Sequence, residues 1–155
     1  MFNIKTVHGN LFEHANSGVI CHGVNAQGVM RSGFAKTLRE TYPLAYAAYM
    51  ETHKKTGLRV GQSILVRVSP SLYVANLVTQ EYYGRDGRQY VDYDGLEESF
   101  DNLRAQLLDI HGDSERWQLH FPLIGCDLGG GKWEHVSPRI NNATPDIKKT
   151  LYVLP

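Results

Sequence analysis

Cysteine is scarce in this chain: only Cys21 and Cys126 occur in 155 residues, each in or beside an apolar run. Two thiols are too few for a disulfide framework or a thiolate metal cluster, and they fit a reducing compartment. Long apolar runs are missing as well. No stretch approaches the roughly 18 consecutive apolar residues of a membrane span. The opening MFNIKTVHGN lacks the apolar core of a secretion signal. No membrane partner and a cytoplasmic location, in a bacterium or a phage-infected host, are therefore expected. Charge of one sign is also lacking: sixteen basic and sixteen acidic residues cancel, and the pI is near 7.1. This argues against a broad electrostatic footprint for nucleic acid or anionic lipid. It leaves a small anionic ligand open, because such a ligand needs only a few local N–H donors. No internal repeat or low-complexity tract occurs. The histidines other than His22, namely His8, His14, His53, His111, His120 and His135, show no metal-ligand spacing. Those near helix ends, His53 and His111, read as partners for a helix C-terminus. No metal and no cofactor are expected.

What remains is an ordinary globular composition, 42% hydrophobic and 21% charged, on a length suited to one domain over residues 1–155. Residues 3–7 read as a strand closed by Gly9-Asn10, and 11–17 as a short connection. GVICHGV, from Gly18 to Val24, is a compact apolar run suited to a strand buried on both faces. Phe34–Tyr42 has helical spacing, and Pro43 suits the first turn of a further helix through Lys55. Two β runs, 63–68 and 73–79, are joined by Ser-Pro-Ser and predict a hairpin. A long polar and aromatic loop follows, Gln80 to Tyr93. Asp94 with Glu97 resembles a capping box. Leu96, Phe100, Leu103 and Leu107 form a helical stripe. Leu119–Ile124 reads as a buried strand, a helix opens near Trp133, and 149–154 makes a last strand. Strands alternating with helices, plus one hairpin, predict an α/β layered domain with a mixed sheet.

Two stretches share one pattern. The first strand of interest empties into NAQGVMRSG (Asn25–Gly33) and then a helix. The later one empties into IGCDLGGG (Ile124–Gly131) and then a helix. Strand, glycine loop and helix start together aim backbone N–H groups and a positive helix end at an anion. Glycine lets backbone approach a ligand closely at little cost in φ. Ligands of such sheets sit outside the carboxyl ends of the strands, so one cleft between the two loops is the economical arrangement.

In order and spacing, Gly9-Asn10-Leu11, VICHGVNAQGVMRSGFAKTLRETYP and PLIGCDLGGGKWEHV resemble the macro domain, a module that binds ADP-ribose. The nearest branch is the small phage and bacterial group that processes ADP-ribose 1''-phosphate, related to the yeast ADP-ribose 1''-phosphatase and to ADP-ribosyl hydrolases. The segment NLVTQEYYGRDGRQ resembles that branch too. The resemblance implies a three-layer α/β/α fold. It implies a ligand, ADP-ribose or ADP-ribose 1''-phosphate, and as possible partners an ADP-ribosylated protein or nucleic acid; a monomer is expected. Asn10 and Leu11 stand where macro domains usually carry Asp before Ile or Leu, so a neutral acceptor replaces a charged one at the adenine. Asn25 matches the residue facing the distal ribose. Gly28, Met30, Arg31, Ser32, Gly33 and Phe34 match the first phosphate-side loop. Ile124, Gly125, Cys126, Leu128, Gly129, Gly130 and Gly131 match the second.

His22 falls where the yeast phosphatase has its histidine. Gln80 replaces the lysine of the glycohydrolase branch, which argues against a mechanism through a lysine adduct. That branch's second-loop aspartate aligns with Gly129, and Asp127 is placed to take over an acidic role. The catalytic set expected is thus His22, Asn25 and Asp127. Each has an ordinary alternative: a strand histidine satisfied by backbone, a turn-forming asparagine, a loop aspartate bonding its own backbone. Tyr83 either covers a face of the ligand or shields the sheet edge, and Arg31 either meets a phosphate or is solvated. The expected activity is hydrolysis at the distal ribose, releasing phosphate from ADP-ribose 1''-phosphate or freeing ADP-ribose from a macromolecule. The alternative is binding without turnover.

Overall fold

The computed structural model describes residues 2–31 and 33–155. Six strands form one sheet: β1 (Ile4–His8), β2 (Gly18–Asn25), β3 (Ser63–Ser69), β4 (Leu72–Gln80), β5 (Gln118–Phe121) and β6 (Lys148–Val153). Their order is β1-β6-β5-β2-β4-β3. Every neighbouring pair is parallel except β3 with β4, the expected hairpin. The carboxyl ends of five strands therefore lie along one edge of the sheet, four strand spacings of about 4.8 Å, or about 19 Å, from β1 to β4.

Helices cover both faces, giving the three-layer α/β/α architecture expected. α1 (Leu11–His14), α2 (Gly33–Thr41) and α3 (Pro43–Lys55) lie on one face; α4 (Tyr93–Ile110) and α5 (Trp133–Ala143) lie on the other. The alternation of β2 shows how the sequence specifies this. Val19 and Cys21 join Leu96, Phe100, Leu103 and Leu107 of α4 and Val136 and Ile140 of α5 in the largest core cluster. Ile20 packs with Leu11, Leu38 and Ala45 on the opposite side, and Val24 with Met30 and Tyr49. The α4 stripe is fully buried, and each such side chain is worth about 1.5–3 kcal/mol of transfer free energy.

Two boundaries differ from the sequence reading. β5 stops at Phe121, because Pro122 has no N–H to continue a ladder. Leu123 and Ile124 therefore belong to the loop that follows. α4 is capped by Asp92, whose side chain accepts from Gly95 N, while Asp94 sits in the first turn and pairs with Arg139 across to α5 at 2.7 Å. The polar loop thus gives up its last residues to the helix cap. Among the described residues, no helix is long and apolar enough to cross a membrane, and no three His, Cys, Asp or Glu side chains are grouped to hold a metal.

Candidate functional site

A cleft of about 1000 Å³ runs along the carboxyl edge of the five parallel strands. Both glycine-bearing loops line it: Asn25, Val29, Met30, Arg31 and Gly33 from the first, and Ile124, Gly125, Asp127, Leu128 and Gly129 from the second. They meet closely, since a Cβ built on Gly33 would lie 3.9 Å from Asp127 Oδ2. The juxtaposition expected from the sequence is present.

The second loop sorts its own amides. Cys126 N donates to Leu123 O, Gly130 N to Asp127 O and Gly131 N to Gly125 O. None of these three residues lines the cleft; their amides build the loop. Gly125, Asp127, Leu128 and Gly129 have amides with no hydrogen-bond partner among the described residues, and all four line the cleft. Gly125 adopts φ +76° and Gly130 φ +71°, a region side chains disfavour. Space is equally restrictive, because a Cβ on Gly131 would sit 2.6 Å from Val91 Cγ1. From outside, Tyr90 N and Val91 N both donate to Gly129 O, at 2.7 and 3.0 Å. The Gln80–Asp92 connection is thereby strapped to the loop.

The first loop is shaped by Asn25. Its Oδ1 accepts from Gln27 N at 3.0 Å, Val29 N at 3.3 Å and the Tyr49 hydroxyl at 3.1 Å, while Nδ2 donates to Val29 O at 2.8 Å. This is the turn-forming alternative, and it leaves one amide proton for a ligand. Gly28, at φ +80°, faces His53, whose ring would lie 2.6 Å from an added Cβ. Gly28 therefore supports the loop from behind and does not line the cleft. His53, read from the sequence as a helix-end partner, is the packing surface for this loop. Ser32 lies outside the described residues. α2 starts at Gly33, so its first amides and the positive end of its dipole face the cleft.

His22 lies at the cleft floor, 1% exposed. Its Nε2 is 2.6 Å from Asn76 Oδ1. Asn76 Nδ2 donates to Ala45 O and Ile64 O, so Oδ1 is the acceptor and Nε2 carries the proton. Nδ1 has no partner among the described residues. Burial pushes the imidazole down to about 4, against the opposing pull of the Asn76 bond. At neutral pH the ring is uncharged and has one lone pair to offer.

The ends of the cleft differ in character. At β1 and β6 the wall is apolar and aromatic, with Leu11, Phe12, Phe34, Tyr152 and Leu154; Phe12 and Phe34 stack at 5.0 Å. Tyr152 is fixed by His120, whose Nε2 meets Ser17 O at 2.9 Å and whose Nδ1 lies 2.8 Å from the Tyr152 hydroxyl. Asn10 stands at this end, but its Oδ1 caps α1 by accepting from Phe12 N at 3.0 Å. At β4 the wall is polar, with Thr79, Gln80, Tyr83 and Arg85. Gln80 Nε2 donates to Tyr82 O at 2.7 Å. Phe12 and Tyr152 were not signalled by any motif, and Thr79 and Arg85 lie in the NLVTQEYYGRDGRQ segment without having been singled out; all four reach the cleft through strand register and the packing of distant segments.

Comparison with known protein families finds no matching family. A curated protein of Thermus aquaticus, a DNA ADP-ribosyl glycohydrolase, is 26% identical over 143 residues, covering 90% of this chain and 37% of that protein. The chain thus spans little more than a third of that relative's length. Among solved structures, a protein of unknown function from Bacteroides thetaiotaomicron superposes with TM-score 0.83 at 29% identity, over 97% of this chain and 98% of that one. The macrodomain of Thermus aquaticus DarG gives 0.79 at 22% identity over 99% of both chains. Thermosipho africanus DarTG in complex with ADP-ribose gives 0.76 at 21%, covering all of this chain and 42% of the other.

Proposed function

The chain is a macro domain by fold, and from that premise we propose that it binds ADP-ribose and hydrolyses the bond between the distal ribose and the group attached at its anomeric carbon. One observation carries the reading: two glycine loops face each other across a single cleft, and in the second loop the amides left without internal partners are those on its wall. A diphosphate held there neutralises four donors and the positive end of α2. The apolar end at β1 and β6 suits the flat face of adenine, and the polar end at β4 suits a sugar. The names of the relatives support the ligand, since one acts on ADP-ribosyl DNA and another was solved with ADP-ribose.

For the chemistry, Asp127 is the group best placed to take a proton from an attacking water, because its carboxylate stands at the meeting point of the loops. Water adds to the substrate, the proton passes to Asp127, and the leaving group departs as phosphate or as the freed macromolecule. Asn25 offers one amide proton to the sugar. His22 is limited to accepting through Nδ1. With Gln80 in place of a lysine, no lysine among the described residues lines the cleft to form a covalent adduct. Of the two substrates, ADP-ribose 1''-phosphate is our first choice, because it needs no room for a macromolecule; ADP-ribosylated DNA is the second.

A second reading, capture without turnover, is favoured by one set of facts. His22, Asn25 and Gln80 are each committed to internal hydrogen bonds. The experiment is a titration with ADP-ribose followed by incubation with ADP-ribose 1''-phosphate and with ADP-ribosylated DNA, with chromatography of each. At 100 times its dissociation constant, ADP-ribose adds about 2.7 kcal/mol, read as a melting shift. Release of phosphate or of ADP-ribose, lost in Asp127→Asn, supports hydrolysis. Binding with both substrates recovered intact leaves the capture reading, and no melting shift overturns both.

A further inference from the structure

Thr79 combines three features that no role assigned so far uses. Its side chain is 1% exposed, yet its hydroxyl has no hydrogen-bond partner among the described residues. A buried hydroxyl left in that state is costly, and such groups are rare enough to need a reason. Thr79 also lines the cleft. Finally, it is the extra residue in the pairing of β2 with β4: Val24 lies opposite Val78 and Asn25 opposite Gln80, with Thr79 unmatched between them. Bulges of this kind re-aim a side chain, often beside a functional site.

The surroundings leave the hydroxyl buried beside the cleft and unpaired among the described residues. Thr79 O accepts from Asp92 N at 2.8 Å, which fixes the backbone through the cap of α4. Gly23 on β2 faces the side chain, and a Cβ there would come within 2.7 Å of Thr79 Oγ1 and 3.2 Å of Ile124 Cγ2. Any residue larger than glycine at position 23 fills the space in front of the hydroxyl. Thr79 belongs to the polar end of the cleft, with Gln80, Tyr83 and Arg85, and so lies on the far side of the glycine loops from the aromatic end.

We propose that the Thr79 hydroxyl is a specificity-determining contact that hydrogen-bonds an oxygen of the sugar beyond the diphosphate, so that the protein distinguishes a nucleoside diphosphate sugar from the bare nucleoside diphosphate. The assignment rests on the ADP-ribose reading above. A hydroxyl both donates and accepts, which matches a sugar hydroxyl better than a phosphate oxygen. Thr79→Val keeps the shape of the side chain and removes the hydroxyl; Thr79→Ser keeps the hydroxyl.

The test is calorimetric titration of wild type, Thr79→Val and Thr79→Ser with ADP-ribose and with ADP, beside the melting temperature of each unliganded protein. One neutral hydrogen bond corresponds to about a fivefold to tenfold change in affinity. The expected result is a loss of that size in Thr79→Val for ADP-ribose alone, unchanged affinity for ADP, near-complete retention in Thr79→Ser, and an unliganded Thr79→Val that melts no lower than wild type. Gly23→Ala reproduces the selective loss by occupying the same space. Equal losses for both ligands, or no loss for either, overturn the assignment while leaving ADP-ribose binding intact. A wild-type protein that binds neither nucleotide overturns the assignment together with the reading beneath it.

Discussion

Replacing His22 by glutamine isolates the energetics of the cleft floor. Glutamine keeps a donor for Asn76 Oδ1, the group now 2.6 Å from the imidazole, and removes the titration. In the folded protein, burial holds this histidine at about 4, against an ordinary 6.5. Between those values the unfolded chain takes up a proton that the folded chain refuses. Stability from this group is therefore complete above pH 6.5 and is lost progressively as pH falls toward 4. At about 1.4 kcal/mol per pH unit, the full loss is about 3 kcal/mol, with about 2 kcal/mol gone by pH 5. Urea unfolding of wild type and His22→Gln at pH 7.5, 6.0 and 5.0 measures it. Carboxylates titrate alike in both proteins, so the difference between them belongs to residue 22. The wild type should lose about 2 kcal/mol relative to the variant from pH 7.5 to 5.0. A difference that stays flat across this range would refute the burial of a neutral imidazole, and with it the limit placed on His22 as an acid.

Asn25→Ala strips Gln27 N and Val29 N of their acceptor, while the Tyr49 hydroxyl keeps the Asn25 carbonyl at 2.6 Å. It should cost about 1–3 kcal/mol in chemical denaturation, with ADP-ribose affinity lost in the same variant. Gly130→Val forces a side chain at φ +71° against the backbone of Arg88. It should lower stability by more than 2 kcal/mol or so and abolish nucleotide binding, as thermal melts with and without ADP-ribose would show. Asp146 is held near 2 by the bidentate Arg104 guanidinium. Its contribution is present above pH 3.8 and disappears as pH falls through 2. Because the pair is about one-third exposed, Asp146→Asn should cost only about 1 kcal/mol at pH 7, with cleft binding unchanged.

The layering was legible because it depends on local periodicity. The apolar run of β2 and the Leu96-Phe100-Leu103-Leu107 stripe each encode one face, and nothing distant changes them. The two glycine loops were legible for the same reason, since strand, glycines and helix start are contiguous in the chain. The roles within those loops were not. Gly130 and Gly131 look equivalent to Gly129 in sequence, yet their amides turn inward because Asp127 O and Gly125 O are within reach. Asn25 carries the loop through Gln27 and Val29, and it is held there by Tyr49, twenty-four residues away. Thr79 is invisible in sequence because a bulge exists only relative to the neighbouring strand. Pro122 and Asp92 did carry boundary signals in plain view: a missing N–H for the one, a capping side chain three residues ahead of Gly95 for the other.

The double hydrogen bond onto Gly129 O gives the connection between β4 and α4 a leverage out of proportion to its own contacts with the cleft. A peptide plane gripped from one side by Tyr90 and Val91 cannot rotate unless that grip moves. The aim of the neighbouring amides is accordingly set by a segment some forty residues earlier in the chain. Lengthening or shortening the stretch between Gln80 and Asp92 would retune the anion cradle without changing one residue of the glycine loop itself. The shape of the glycine loop thus has an adjustment screw outside the loop itself.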